Sequence, residues 1–195
     1  MPRLPTVQVL PSAERAEQPV FYYDLGDPAC YIAAEQVMTA LPVQPEWEPV
    51  LAAEIGSRPT SSDPGTIAEE IQRLGLQPLR WPSAWPPDTR QAMLAATYAK
   101  AIGRAVAFSL AAFRQAFAGG RDLADPNTIL IAGAACEMHP SALLKGMATR
   151  SVAAALAGAS ERARGAGIAA LPAIQVEHDV FVGPGALAAA EEALR

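Results

Sequence analysis

The stretch Val20-Phe21-Tyr22-Tyr23-Asp24-Leu25-Gly26-Asp27-Pro28-Ala29-Cys30-Tyr31 decides the fold. Its first half is aromatic, β-branched at its start and almost continuously apolar, the pattern of a strand buried on both faces. Gly26 breaks the run. Asp27 then offers the short acceptor side chain of an N-cap, and Pro28 stands at the first helical position, where a missing N–H leaves no bond unmade. The helix so begun runs to about Ala40 and stops before Pro42. A second strand is expected around Glu46–Ala52. Strand, helix and strand in so short a span make a βαβ unit, whose crossover implies parallel strands.

Upstream, residues 1–18 read as a short proline-bearing tail, with Val7–Leu10 as a possible pairing segment at a sheet edge. Downstream, residues 57–65 turn to Gly, Ser, Pro, Asp and Thr, a linker composition. Helical character follows for roughly a hundred residues. Thr66–Leu74 is a short helix ended by Gly75. Leu79-Arg-Trp81-Pro-Ser-Ala-Trp85-Pro-Pro has too many prolines for a helix and reads as an extended aromatic loop. Asp88 or Thr89 caps the next helix, in which Leu94, Tyr98 and Ile102 share one face, as Val106, Leu110, Phe113 and Phe117 do in the one after. Gly119-Gly120 closes that second helix. Asp125 caps a helix from Pro126 to Met138, Pro140 starts another, and Thr149–Arg164 is long and alanine-rich.

Strand character returns at Leu171-Pro172-Ala-Ile-Gln-Val and at Asp179-Val-Phe-Val. They flank a turn at Glu177-His178, which predicts an antiparallel hairpin. A last helix spans Ala186–Leu194. The order is β-α-β, a helical block, then β-β-α: an α/β fold of the thioredoxin-like kind with a large all-helical insertion. The two motifs must share one sheet to bury their apolar faces. The boundaries read from the sequence are 18–61 and 166–195 for the thioredoxin-like domain and 62–165 for the insertion.

The composition excludes several function classes. With 15 basic and 20 acidic residues the formal charge is −5, and no Lys/Arg block occurs. Nucleic acid and anionic membrane therefore find no electrostatic footprint. Two histidines and two cysteines, unclustered, give no reason to expect a metal site or a disulfide scaffold. No long apolar run predicts a transmembrane helix or a signal peptide, so a soluble cytoplasmic protein is expected.

Four features coincide: the Asp24–Tyr31 strand-to-helix turn, the helical block, Leu171-Pro172 at the third strand, and Phe181-Val182-Gly183 before the last helix. Together they resemble the DsbA-like superfamily, over residues ~20–195. Within it they resemble the branch that holds 2-hydroxychromene-2-carboxylate isomerase and kappa-class glutathione transferase, or alternatively its thiol oxidoreductases. The resemblance implies a cis proline at Pro172, with Leu171 offering main-chain groups to a thiol ligand. It also implies glutathione as cofactor, a small-molecule or thiol ligand, and a homodimer. The helix N-terminus would supply unpaired N–H groups and a positive dipole end to a thiolate.

The chain departs from that pattern at two places. Asp27 stands where the branch has a Ser, or the first Cys of an oxidoreductase motif. Cys30 stands at the second cysteine position. Gly183-Pro184-Gly185-Ala186 replaces the polar residues that hold glutathione's γ-glutamyl end. Weak or absent glutathione binding is therefore expected.

Each candidate has two readings. Asp27 is a helix cap or a catalytic carboxylate. Cys30 is packing or a reactive thiol. Tyr31, Trp81 and Trp85 line an aromatic substrate pocket or fasten the loop. Leu171, Pro172, Gly183 and Gly185 contact a cofactor or shape turns. Cys136 reads as packing, His139 as a helix junction and His178 as a solvated hairpin tip. The function predicted is a DsbA-like enzyme of the isomerase/transferase or thiol oxidoreductase kind with an altered motif. The alternative is a binding or scaffold module on the same fold.

Overall fold

The structure, a computed structural model, describes residues 18–58 and 64–195. The pairing expected of Val7–Leu10 and the centre of the 57–65 linker lie outside these residues. So does the predicted domain boundary at 61/62.

Strand β1 (Val20–Tyr23) leads to helix α1 (Pro28–Ala40) and strand β2 (Glu46–Pro49). β1 and β2 pair in parallel, Val20 opposite Glu46 and Tyr23 opposite Pro49. The second strand is shorter than its sequence suggested. Beyond Pro49 the chain turns into a 3-10 helix, Ala52–Ile55, because Asp24 takes the Ala52 N–H out of any ladder.

Helices α2 (Pro64–Arg73), α3 (Arg90–Ala101), α4 (Ala105–Phe117), α5 (Pro126–Ala135), α6 (Pro140–Met147) and α7 (Arg150–Gly165) follow, with no strand among the described residues of this block. α5 ends three residues early, since Glu137 adopts a positive φ of 61° just after Cys136 caps the helix. His139 does form a junction: its Nδ1 accepts the Ser141 N–H at 3.3 Å and caps α6. The chain returns as β3 (Ala173–Val176), β4 (Asp179–Val182) and α8 (Ala186–Ala193). The sheet order is β2-β1-β3-β4, with β3 antiparallel to both neighbours.

The two faces of the sheet are packed differently. Phe21 and Tyr23 stack at 5.4 Å, and Trp47 meets both edge-on at 5.0 and 5.4 Å. Such pairs add ~0.5–1.5 kcal/mol each beyond simple burial. Tyr31 of α1 lies between Phe113 and Phe117 of α4, so aromatic contact ties the insertion to the first helix. The Tyr23 hydroxyl meets Ser109 Oγ of α4 at 2.6 Å. On the opposite face Glu48 is buried but paired with Lys100 of α3 and Arg162 of α7, at 2.7 and 3.3 Å. The insertion thus grips the sheet from both sides. This fixes the loop before α3 beside the β1–α1 turn.

Candidate functional site

Three segments meet at the C-terminal end of β1: the Asp24–Asp27 turn, the Leu51–Ser57 segment after β2, and Pro86–Arg90 before α3. They enclose a cleft of about 350 Å³. Asp24 joins all three. Its Oδ1 accepts the Gly26 N–H at 2.9 Å; its Oδ2 accepts the Ala52 N–H at 2.9 Å and the Thr89 hydroxyl at 3.2 Å. Burial pushes the Asp24 carboxyl up from its ordinary value, while these three donors pull it back. Both oxygens face obligate N–H donors, the arrangement that suits a carboxylate rather than a neutral acid.

Every helix that starts at the cleft carries its own aspartate. Asp27 Oδ1 accepts the Ala29 N–H at the start of α1, at 2.8 Å. Asp88 Oδ1 accepts the Arg90 N–H at the start of α3, at 3.0 Å. Asp24 does the same for Ala52 at the start of the 3-10 helix. A helix N-terminus ordinarily attracts an external anion through such groups. Here three of these N–H groups are already engaged by side chains of the chain itself. Arg90, the sole cation among the described lining residues, pairs with Glu54 at 3.5 Å.

The residues singled out in the sequence are only partly brought together. Asp27 lines the cleft and is 1% exposed. Cys30 does not line it. It points into the core, fully buried, and burial first and the Asp27 charge second hold its thiol well above 9.0. Of the two readings of Cys30, packing and a reactive thiol, this geometry is that of a packed core thiol. Tyr31 is corrected, since both aromatic neighbours that bury it belong to α4. Trp81 and Trp85 contact one another edge-on at 4.7 Å and do not line the cleft. The Arg80 N–H is bound to the Phe117 carbonyl at 2.7 Å, which draws that part of the loop to the end of α4. The two prolines after Trp85, Pro86 and Pro87, form the cleft wall instead.

The Leu171–Pro172 bond is cis, as is Trp85–Pro86. The β1–β3 register ends with Tyr22 opposite Ala173, so Pro172 sits at the same end of the sheet as the α1 start. Leu171 and Pro172 are both buried and line neither hollow described here. Gly183 donates its N–H to the Pro172 carbonyl at 2.8 Å with φ of 82°, a turn that favours glycine. Gly185 occupies the α8 cap position without a side-chain bond. A second hollow, about 570 Å³, lies between α1, α2 and α8 and reaches Ala29 and Pro184.

Sequence reading missed Asp24 as the centre of the site and Thr89 as its partner. The signal was present in a weak form: a carboxylate at the end of a buried strand requires donors to satisfy it. Which donors these would be depended on contacts between segments far apart in the chain. Among the described residues no three His, Cys, Asp or Glu side chains gather as metal ligands. No described helix is long and apolar enough to cross a membrane.

A four-stranded mixed sheet with a cis proline before the third strand, and a helical insertion over the start of the first helix, defines a thioredoxin-like α/β protein. Residues 20–195 match the DSBA-like thioredoxin domain family, and the chain belongs to it. Among solved structures, 2-hydroxychromene-2-carboxylate isomerase superposes with a TM-score of 0.78 at 15% identity, covering 90% of this chain and 93% of that one. The cytosolic disulfide reductase DsbM from Pseudomonas aeruginosa, in a structure with GSH, gives 0.60 at 16% identity over 90% and 98%. Another DsbM structure gives 0.62 at 16% identity over 90% and 97%. At these identities the likeness concerns the fold. None of the curated proteins matches the sequence.

Proposed function

We propose that this protein is a small-molecule enzyme of the isomerase/transferase kind within its family, working in the Asp24–Asp27 cleft without dithiol–disulfide exchange. The observation that carries this is Asp27: a buried carboxylate on the Ala29 N–H, in the place where a thiol or hydroxyl would meet sulfur. Disulfide exchange needs an attacking thiolate and a second thiol to resolve the intermediate. Asp27 can supply neither. Asp27 is the candidate catalytic residue, a carboxylate in the cleft wall in position to act as a general base toward a bound ligand. Leu171, Pro172, Gly183 and Gly185 are support for the site rather than its lining. The free thiols of Cys30 and Cys136 suit a reducing, cytoplasmic setting.

Glutathione belongs to this reading only as a weak ligand. Asp27 brings negative charge to the sulfur position. Repulsion between unit charges ~4 Å apart is ~1 kcal/mol in water and ~4 kcal/mol at an effective dielectric of 20. That equals or exceeds the help of the helix dipole. Isothermal titration of the full chain with reduced glutathione tests the reading. No micromolar binding is expected, and micromolar affinity would overturn it. A non-catalytic binding module is the second reading, favoured by the Gly183–Ala186 stretch, which offers no polar side chain to a cofactor. Turnover of any small molecule that is lost in Asp27→Asn would decide between the two.

A further inference from the structure

The second hollow, about 570 Å³, has the form of a groove. Its floor follows α1: Ala29, Ile32, Ala33, Gln36 and Ala40 fall on one stripe that runs from the first turn of the helix to its last. Ala29 to Ala40 spans ~16 Å along the helix axis. Ile67 of α2 and Leu187 of α8 form apolar walls. The rim carries the carboxylates of Glu69, Glu70 and Glu191 against the guanidinium of Arg73, the one cation among the described lining residues. A long apolar floor under an acidic rim suits an extended apolar segment that carries positive charge.

The chain itself supplies such a segment beside the mouth of the groove. The described residues begin at Gln18, whose Nε2 donates to the Gln44 carbonyl at 2.9 Å; Gln44 Nε2 donates in turn to the carbonyl of Met38, in the last turn of α1, at 3.0 Å. Residues 1–17 therefore join the fold next to Ala40, at one end of the stripe. Residues 11–17 reach up to ~25 Å when extended. All of α1 is ~20 Å long, so the first ten residues can be delivered to any point on the floor. Those ten, MPRLPTVQVL, hold Leu4, Val7, Val9 and Leu10, one cationic side chain at Arg3 and no acidic one. Pro5 and Pro11 bias the leucines before them to extended backbone, which lowers the cost of ordering the segment. In an extended segment Val7 and Val9 share one face. We propose that residues 1–10 of this same chain occupy the groove, with Val7 and Val9 on the α1 floor and Arg3 among the rim carboxylates.

The test places a nitroxide spin label on the full chain through Ala188→Cys, an exposed position on the α8 side of the groove. A label through Ala153→Cys, exposed on α7 at the opposite face of the sheet, is the control. The native thiols of Cys30 and Cys136 are buried. The label on α8 should broaden away the amide NMR signals of Val7, Gln8, Val9 and Leu10, and the label on α7 should leave them sharp. The double variant Val7→Asp, Val9→Asp should restore the signals. Arg3→Glu should weaken docking about threefold, and added salt should weaken it in the wild type. An unchanged circular dichroism spectrum in these variants separates loss of docking from loss of fold. Signals untouched by the α8 label, or attenuated equally by both labels, would overturn the proposal. So would attenuation that appears only when spin-labelled and isotope-labelled chains are mixed, since a second copy would then fill the groove. Attenuation that survives Val7→Asp, Val9→Asp would equally count against it, because an apolar floor would not hold the charged segment.

Discussion

A Cβ placed on Gly26 would stand 2.5 Å from Cγ2 of Thr89 and 2.9 Å from Cγ of Pro87. The β1–α1 turn and the loop before α3 are therefore in van der Waals contact at the one residue that has no side chain. The same two segments share the Asp24–Thr89 hydrogen bond. Gly26 is thus the point where the insertion is seated on the thioredoxin-like sheet, next to the cleft.

Gly26→Ala should unseat that loop. Overpacking of this kind costs ~1–3 kcal/mol. Thermal unfolding should show the loss. Thr89→Ser removes the methyl while keeping the hydroxyl on Asp24, so the double variant should recover part of it. A double-mutant cycle with no coupling between the two sites would show that the contact is not the cause.

Asp24→Asn should destabilise the fold although it removes a buried charge. An amide has one acceptor oxygen, so its NH2 group would face the N–H of Gly26 or of Ala52. Leaving a buried donor unpaired costs ~1–3 kcal/mol. Chemical denaturation of the variant measures it, and an unchanged midpoint would refute the role given to Asp24.

Asp27→Cys should create a Cys-Pro-Ala-Cys pair with Cys30. Side chains three apart in a helix lie within ~5–6 Å of one another, close to the reach of a disulfide. Thiol titration before and after reduction should show the pair oxidising, and insulin reduction should appear where the wild type has none. Asp27→Ser should instead strengthen glutathione binding by removing the charge beside the sulfur. Titration calorimetry reads that change, and equal affinity in wild type and variant would count against the electrostatic argument.

Stability should fall at alkaline pH, and the sign follows from Cys30 and Tyr23. Burial raises both above their ordinary values of 9.0 and 10.0. In the unfolded chain they lose protons near those values, while in the fold they keep them. The native state then binds more protons, so stability is fully present below about pH 9 and decreases above it, by up to ~1.4 kcal/mol per pH unit for each group. Cys30→Ala should make the decline shallower. A denaturation midpoint that is flat from pH 8 to 11 would contradict the burial of both groups. The same burial should leave Cys30 unreactive toward a thiol reagent at pH 8 in the native protein.

The element order was legible because it rests on local chemistry. An aromatic run, a Gly break, an Asp cap and a Pro at the first helical position act within a few residues of one another, and α1 begins at Pro28 as that logic requires. The hairpin and its last helix were legible for the same reason. The cleft was not, because its walls come from Asp24, Ala52 and Thr89, and no periodicity links such positions.

The sequence by itself determined that Asp27 would cap the first helix and that a β-α-β unit and a β-β-α unit would share a sheet, since capping and strand pairing are set by short-range acceptors and apolar patterns. Only the tertiary structure decided that Cys30 and Tyr31 would be core residues, that Pro86 and Pro87 rather than Trp81 and Trp85 would face the cleft, and that Asp24 would bind three segments at once. A helix shows one side to its neighbours, and which side is buried depends on where α4 and the loop before α3 come to rest. That placement is settled by the packing of Tyr31 between Phe113 and Phe117 and by the absence of a side chain at Gly26.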